Sequence, residues 1–299
     1  MKLLVVGSKS MVGSRFCELA TADFNLVKAD LHDHVSVDIT RVDSLTSSFK
    51  NQKFEWLVLF SAFTDVDGAE EQRNDKNGAC WQINVEGVKN VVGACLKYQR
   101  KLIFISTDFV FDGTGGPYSE NDPMGPDLDK ISWYGITKKE AEKIITKALS
   151  KFIILRISYP YRGRFGKKDD IAKRVLRLYR GNRLYPMFTD QTITPTFIDD
   201  LSPALSLLLA ENQTGIFHLA SPTATTQYDF AKEVLGVFGE DPGRLRKGSQ
   251  AEFLKTAQAV PRPKNTSLKV DKIKALGFEP TDWKRGIKII YEQSKGRLI

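Results

Sequence analysis

Leu3-Leu4-Val5-Val6-Gly7-Ser8-Lys9-Ser10-Met11-Val12-Gly13 opens the chain almost at its start. Its first four residues are apolar and uncharged, as in a strand buried on both faces of a parallel sheet. The run stops at Gly7. Beyond Gly13, Arg15, Phe16 and Leu19 continue as an amphipathic helix. Strand, glycine turn and helix in that order give a glycine fingerprint a mechanism. Gly7 permits the tight turn, and Gly13 permits close packing of helix on strand. The free N–H groups and positive dipole at the helix start suit a pyrophosphate. Ser10 replaces the middle glycine of G-x-x-G-x-x-G but is small enough to admit phosphate. Met11 and Val12 complete the turn. The blander reading is a plain tight turn.

The same alternation continues outward. Leu26–Ala29, Val35–Ile39, Trp56–Ala62, Lys101–Thr107 and Phe152–Ser158 read as further strands. Between them lie predicted helices at Val42–Phe49, with Asp43 as a cap candidate, and at Ala79–Gln99. This pattern predicts an α/β fold, a right-handed, Rossmann-type doubly wound parallel sheet. Ligands of such sheets bind beyond the carboxyl ends of the strands. Gly7, Ala62, Thr107 and Ser158 should therefore converge. Asp30 ends the second strand and suits the adenosine ribose hydroxyls of NAD, with Lys28 and His32 softening discrimination against a 2′-phosphate. Asp38 and Ile39 end the third strand; Ser61, Ala62 and Phe63 end the fourth.

After Pro160 the character changes. A basic helix is predicted from Asp169 to Arg180, then a short strand at Leu184–Phe188, a helix through Ala210 and a strand at Gly215–Ala220. Thr226 to Asp229 resembles a capping box. Residues 1–158 and 191–220 are expected to form the dinucleotide-binding domain. Residues 159–190 and 221–299 should form a smaller α/β substrate domain.

Composition sets the outer bounds. The 299 residues are 41% hydrophobic and 27% charged, with no apolar run near the ~20 residues that span a bilayer. The opening run is too short for a signal peptide. Cys17, Cys80 and Cys95 are odd in number and form no C-x-x-C pair, which fits a reducing cytoplasm and packing roles. The net charge of +8 is scattered. Its densest run, from Arg162 to Arg180, is interleaved with Asp169 and Asp170. A solvated face, a polyanion patch and a field for a small phosphorylated substrate all stay open. Asp65 and Asp67 read as turn and cap residues, not as metal ligands. His218, between Phe217 and Leu219, reads as a packed residue.

The chemistry centres on Tyr134-Gly135-Ile136-Thr137-Lys138, at the start of a helix predicted to run to about Leu149. Positions i and i+4 share a helical face. A fixed ammonium would lower the pKa of a phenol and fit it for proton transfer to a carbonyl oxygen. The bland alternative is an exposed Tyr and a solvated Lys. A Gly/Pro-rich loop from Gly113 to about Ser132 leads into this helix and reads as one wall of a pocket.

Taken together, these residues resemble the extended short-chain dehydrogenase/reductases, and more closely the dTDP-4-dehydrorhamnose reductase family. The likeness rests on the fingerprint at Gly7–Gly13, Ser61-Ala62-Phe63-Thr64-Asp65-Val66-Asp67-Gly68-Ala69-Glu70, and Asn84-Val85. It continues in Ser106-Thr107-Asp108-Phe109-Val110-Phe111-Asp112-Gly113, Tyr134-x-x-x-Lys138, Asp190-Gln191, Pro195-Thr196 and Arg262-Pro263-x-Asn265. It implies Tyr134 as proton donor to a sugar C4 carbonyl. Lys138 would lower the tyrosine pKa and bind the nicotinamide ribose, and Thr107 would stabilise charge on the carbonyl oxygen. NADH or NADPH would supply the hydride, with NADH favoured by Asp30. On the substrate side stand Thr64, Val66, Asp108, Phe109, Tyr159, Lys173, Gln191 and Arg262. Lys173 to Arg180 and Arg262 would contact a diphosphate. Four places depart from the family: Phe109 lacks a tyrosine hydroxyl, Ser158-Tyr159 stands for S-W, Arg162 takes a glycine position, and Asp170-Ile171-Ala172-Lys173 stands for N-F-A-K. The implied partner is a nucleotide sugar, most closely dTDP-4-dehydrorhamnose on its way to dTDP-L-rhamnose. Nucleic acid and membrane are not expected; a homodimer stays open. Two competing readings are a non-catalytic subunit like that of methionine adenosyltransferase and a nucleotide-sugar epimerase.

Overall fold

A computed structural model describes residues 1–256 and 259–299. Seven parallel strands form the main sheet: β1 (Lys2–Val6), β2 (Asn25–Asp30), β3 (Val35–Ser36), β4 (Trp56–Leu59), β5 (Lys101–Thr107), β6 (Phe152–Ile157) and β7 (Gly215–His218). Their order is β3-β2-β1-β4-β5-β6-β7. The chain starts in the middle, winds out to β3, then returns to build the other half from β4. Strand order thus reverses between β1 and β4, where open α/β sheets place their ligands. This is the doubly wound fold expected.

The strands read as apolar runs because both faces are covered. Leu3, Val5, Ile103, Ile153 and Leu155 face one core with the helix Leu201–Ala210. Leu4, Leu57, Phe104 and Ile154 face the other, which the Tyr134 helix covers with Ala141 and Ile145. Cys17, Cys80 and Cys95 are all buried thiols. A separate core gathers Tyr161, Val175, Leu176, Phe230 and Ile287, from the helices Ile171–Arg180, Gln227–Val237 and Trp283–Ser294. Among the described residues, no helix is long and apolar enough to cross a membrane.

Three local readings change. Leu268, Val270 and Ile273 fall in the range assigned to the second unit, yet they pack in the sheet's core. The 112–118 loop draws them there: Tyr118 N–H donates to Ser267 O at 2.8 Å. The long helix expected at Ala79–Gln99 is interrupted. A π-helical turn at Gln82–Gly87 separates Ala79–Trp81 from Val88–Lys97. π-turns collect at functional sites, and this one carries Asn84 inward. Asp43 does not cap its helix; it pairs with Arg41.

The glycine turn is a steric necessity. Gly7 has φ +86°, and a Cβ there would lie 2.6 Å from Ser61 N. A Cβ on Gly13 would run into the Gly7 carbonyl oxygen. Gly13→Ala should therefore cost about 1–3 kcal/mol in urea unfolding, as overpacked sites do. Gly93, inside Val88–Lys97 with nothing near its would-be Cβ, is the control. Gly93→Ala should gain about 0.5–1 kcal/mol from helix propensity.

Candidate active site

A cleft of about 2280 Å³ runs along the carboxyl ends of the strands and under the second unit. Ligand sites of ~300–1,000 Å³ suffice for one small molecule, so this one has room for a dinucleotide and a second substrate together. Its floor brings together Gly7, Ser10, Met11 and Val12 from the glycine turn. Asp30, Asp38 and Ile39 come from the ends of β2 and β3, and Ser61, Ala62, Thr64 and Val66 from beyond β4. Thr107, Asp108 and Phe109 follow β5, and Tyr134, Lys138, Tyr159 and Arg262 complete the wall.

At the glycine turn, Ser10 caps the helix Met11–Leu19 by accepting from Gly13 N–H at 3.0 Å, and it donates to Gly7 O at 2.7 Å. Asp30 accepts from the backbone N–H groups of Lys9 and Leu31, each at 2.9 Å. Its carboxylate is therefore held in place at the edge of the cleft. Lys9 lies alongside, donating to His32 O at 2.5 Å. Asp38 accepts from Thr40 N–H and Oγ1.

The Tyr134 helix, Trp133–Ala148, starts at the Ser132 cap, whose hydroxyl accepts from Gly135 N–H. That places Tyr134 in the first turn and Lys138 one turn on. Burial raises the Tyr134 phenol well above its ordinary pKa of 10, opposed by a hydrogen bond with Thr107. Lys138 is not among the groups acting on it. Its ammonium donates to Ile105 O at 2.7 Å and sits 3.8 Å from the centroid of Phe104. Burial lowers Lys138 to about 7, against the pull of Glu142 and Cys80. The i,i+4 spacing sets a shared face, but desolvation penalises both charged forms and dominates. The phenol is a protonated donor at neutral pH.

Asp108, expected to touch substrate, is only 1% exposed. Oδ1 accepts from Thr107 Oγ1 at 3.1 Å; Oδ2 accepts from Ser158 Oγ at 2.8 Å and Thr266 Oγ1 at 2.5 Å. It ties together the ends of β5 and β6 and the 262–268 segment, behind Thr107. Phe109 packs edge-on against both Tyr134 and Tyr159. Tyr159 has φ +40°, a conformation a bulky side chain adopts only when its surroundings impose it.

Four expected contacts lie off the cleft wall. Gly13 sits behind Gly7. Phe63 is turned into the cluster of Ala69, Cys80 and Trp133; its backbone N–H donates to Asn84 Oδ1 at 2.8 Å and its carbonyl accepts from Asn84 Nδ2 at 3.0 Å. Lys173 turns back to donate to Phe165 O. Gln191 is fully buried, donating to Pro263 O at 3.0 Å and accepting from Gln227. Phe63, Lys173 and Gln191 each spend polar atoms on an amide or carbonyl of the protein itself. Of the basic helix, Arg177 and Arg180 pair with Asp169 and Glu240.

Other residues take these places. Lys168 lines the cleft and donates to Thr64 Oγ1 at 2.7 Å; Arg262 donates to Asp67 Oδ1 at 2.6 Å. Both contacts bridge the two units. Arg262 Nη1 is buried with no partner among the described residues, a donor aimed at a cleft that could hold an anion. Lys9, Arg174 and Gln227 also line the wall, as do Phe188 and Phe253, whose rings are 5.6 Å apart. The sequence offered a signal for Lys9, inside the glycine turn, and for Lys168, inside the basic run. It offered none for Phe253.

A sheet wound in this order, with a glycine turn at its switch point and a buried Tyr-x-x-x-Lys helix beside a strand-end threonine, defines an extended short-chain dehydrogenase/reductase. More narrowly, the chain belongs to the RmlD substrate binding domain family, which it matches over residues 1–295. It is 28% identical to a dTDP-4-dehydrorhamnose reductase of Aggregatibacter actinomycetemcomitans, over 97% of this chain and 98% of that one. It is 29% identical to a probable dTDP-4,6-dihydroxy-2-methyloxan-3-one 4-ketoreductase of Streptomyces antibioticus, over 96% and 94%. The fold matches that of a Bacillus anthracis dTDP-4-dehydrorhamnose reductase in complex with NADP, with a TM-score of 0.86, 24% identity and coverage of 98% and 99%.

Asp108 gives a pH test. Burial raises it from 3.8 to about 6, against the three hydroxyl bonds. The folded state therefore binds this proton before the unfolded state does, and the group adds stability as pH falls from about 6 towards 4. Asp108→Asn cannot titrate. In urea unfolding, wild type should gain about 2 kcal/mol on the variant between pH 7 and pH 4.5.

Proposed function

We propose that this chain is an NAD(P)H-dependent reductase of the 4-keto group of a nucleotide-linked deoxysugar, with dTDP-4-dehydrorhamnose to dTDP-L-rhamnose as its reaction. The observation that carries this is the half-buried Tyr134 phenol beside Thr107, one helical turn from Lys138, at the wall of a cleft large enough for two ligands. The residues fit a dinucleotide: the packed glycine turn leaves helix N–H groups open to a pyrophosphate, and Asp30 stands at the ribose edge. When bound, the reduced nicotinamide supplies a hydride to the sugar C4.

The chain's own residues do the rest. In the resting site the one Thr107 hydroxyl proton goes to Asp108 Oδ1; with substrate bound it turns to the carbonyl oxygen and stabilises charge as it develops there. Tyr134 gives that oxygen its proton. Because burial raises its pKa, the phenolate left behind readily regains a proton, restoring the resting form. Asp108 fixes the Thr107 hydroxyl from behind. Lys138 is a ligand for the nicotinamide ribose. The unit built on Tyr161, Phe230 and Ile287 serves as the sugar-nucleotide lobe, with Lys168, Arg174 and Arg262 for the diphosphate. Arginine suits that role through bidentate pairing.

Tyr134→Phe should lower kcat by at least ~10²-fold, the lower range for general acid help, while NADH binding measured by fluorescence stays unchanged. Thr107→Val should lower kcat more than it raises KM. Near-normal turnover by Tyr134→Phe would overturn the assignment. A wild-type chain that binds NADH but reduces no 4-keto sugar in a dTDP, UDP and GDP panel would point to the non-catalytic reading.

Asp30 accepts ribose hydroxyls, whereas the Lys9 ammonium beside it softens exclusion of a 2′-phosphate. NADPH should therefore have a kcat/KM no more than about tenfold above that of NADH, which is 1.4 kcal/mol.

A further inference from the structure

Ser106 on β5, Arg156 on β6 and His218 on β7 are register neighbours across three adjacent strands. All three are buried, and so is Glu142, which the Tyr134 helix lowers onto this row. Glu142 Oε1 accepts from Ser106 Oγ at 2.5 Å and from Arg156 Nε at 3.0 Å; Oε2 accepts from Arg156 Nη2 at 2.7 Å. Arg156 Nη1 lies 3.3 Å from His218 Nε2, and His218 Nδ1 lies 3.1 Å from Lys269 O. Burial, with Arg156 adding, pushes His218 down to about 3. The neutral ring thus donates from Nδ1 to the carbonyl and accepts at Nε2.

Nothing in the reduction described above uses this row, yet it abuts the reacting groups. Ser106 precedes Thr107, and Glu142 stands one helical turn beyond Lys138. An apolar row would pack this interface as well or better, because a buried ion pair repays its desolvation poorly. What an ion pair adds is a fixed register and a charge. One carboxylate grips β5 and β6 at once, so the helix cannot slide along the sheet without breaking it. The groups facing Lys138 are Glu142 from its own helix, Cys80 from the packed segment, and Phe104 and Ile105 O from β5. Arg156 lies behind Glu142. Glu142 is the carboxylate among them.

We propose that Glu142 is a positioning residue of the reduction site: through Ser106 and Arg156 it locks the Tyr134 helix in register with Thr107, and it supplies the counter-charge for the Lys138 ammonium. The catalytic part of this inference rests on the reductase reading; the cofactor-binding part does not.

Glu142→Gln keeps the shape and an acceptor for Ser106 but removes the charge. In the folded variant, verified by circular dichroism, NADH affinity by fluorescence titration should weaken about tenfold at pH 8 and approach wild type at pH 6. The alkaline limb of kcat should move about one pH unit lower, while KM for the sugar nucleotide changes less than about threefold. Glu142→Asp keeps the charge and should restore the limb even with a lower Tm. Glu142→Gln combined with Arg156→Met removes the guanidinium left unpaired; it should recover Tm but not the pH profile, and it carries the test if the single variant does not fold. Superimposable NADH titrations and pH limbs for wild type and these charge-removed variants, whatever their Tm, would overturn the proposal. If wild type reduces no 4-keto sugar, the reductase reading fails, and the NADH titrations alone decide the role of Glu142.

Discussion

A parallel sheet covered on both faces leaves almost no place for a polar atom except the carboxyl ends of its strands. The interior positions of β1, β4, β5 and β6 are filled with Leu, Val, Ile and Phe, most of them fully buried. Polar groups inside such a core must be paired, since an unpaired one costs more than a hydrogen bond returns. Ligand-facing groups therefore collect where the strands end. The order β3-β2-β1-β4-β5-β6-β7 opens a crevice at the reversal between β1 and β4. The glycine turn, the β4 end and the Thr107 turn are brought together by that winding.

The same dryness sets the chemistry. Lys138 and Asp108 are buried and Tyr134 is half-buried at the cleft wall, and each shifts towards its neutral form. For a phenol this means a retained proton. For the ammonium it means titration near neutrality, and for the carboxylate a pKa near 6. The hydrogen bonds from Thr107, Ser158 and Thr266 pull Asp108 back towards the ionised form but do not outweigh burial. A site that reduces a carbonyl benefits from a donor that stays loaded.

The two units meet through few polar contacts at the mouth of the cleft, Lys168 with Thr64 and Arg262 with Asp67. Arg162 adds a deeper one, donating to Met11 O at 3.0 Å and Ser14 Oγ at 2.8 Å at the start of the glycine-turn helix. Arg162 thus ties the second unit to the glycine-turn helix, whose N-terminus faces the cleft.

The sequence alone determined the parallel sheet, its glycine turn and the pairing of Tyr134 with Lys138 on one helical face. These follow from periodicity and from spacing within about ten residues, where the geometry of strand and helix is fixed. Asp30, Ile39, Ala62 and Thr107 fell correctly at the cleft because each ends a strand that could be read. The tertiary structure decided where the other side chains spend their polar atoms. Gln191 and Lys173 turn to carbonyls of the protein itself, Asn84 opens a π-turn to clasp Phe63, and Asp108 retreats behind Thr107. Helical spacing tells which groups share a face, but desolvation depends on how many atoms from distant segments close over that face, and those segments lie 30 to 160 residues away in the chain, as Ile105 does from Lys138 and Thr266 from Asp108.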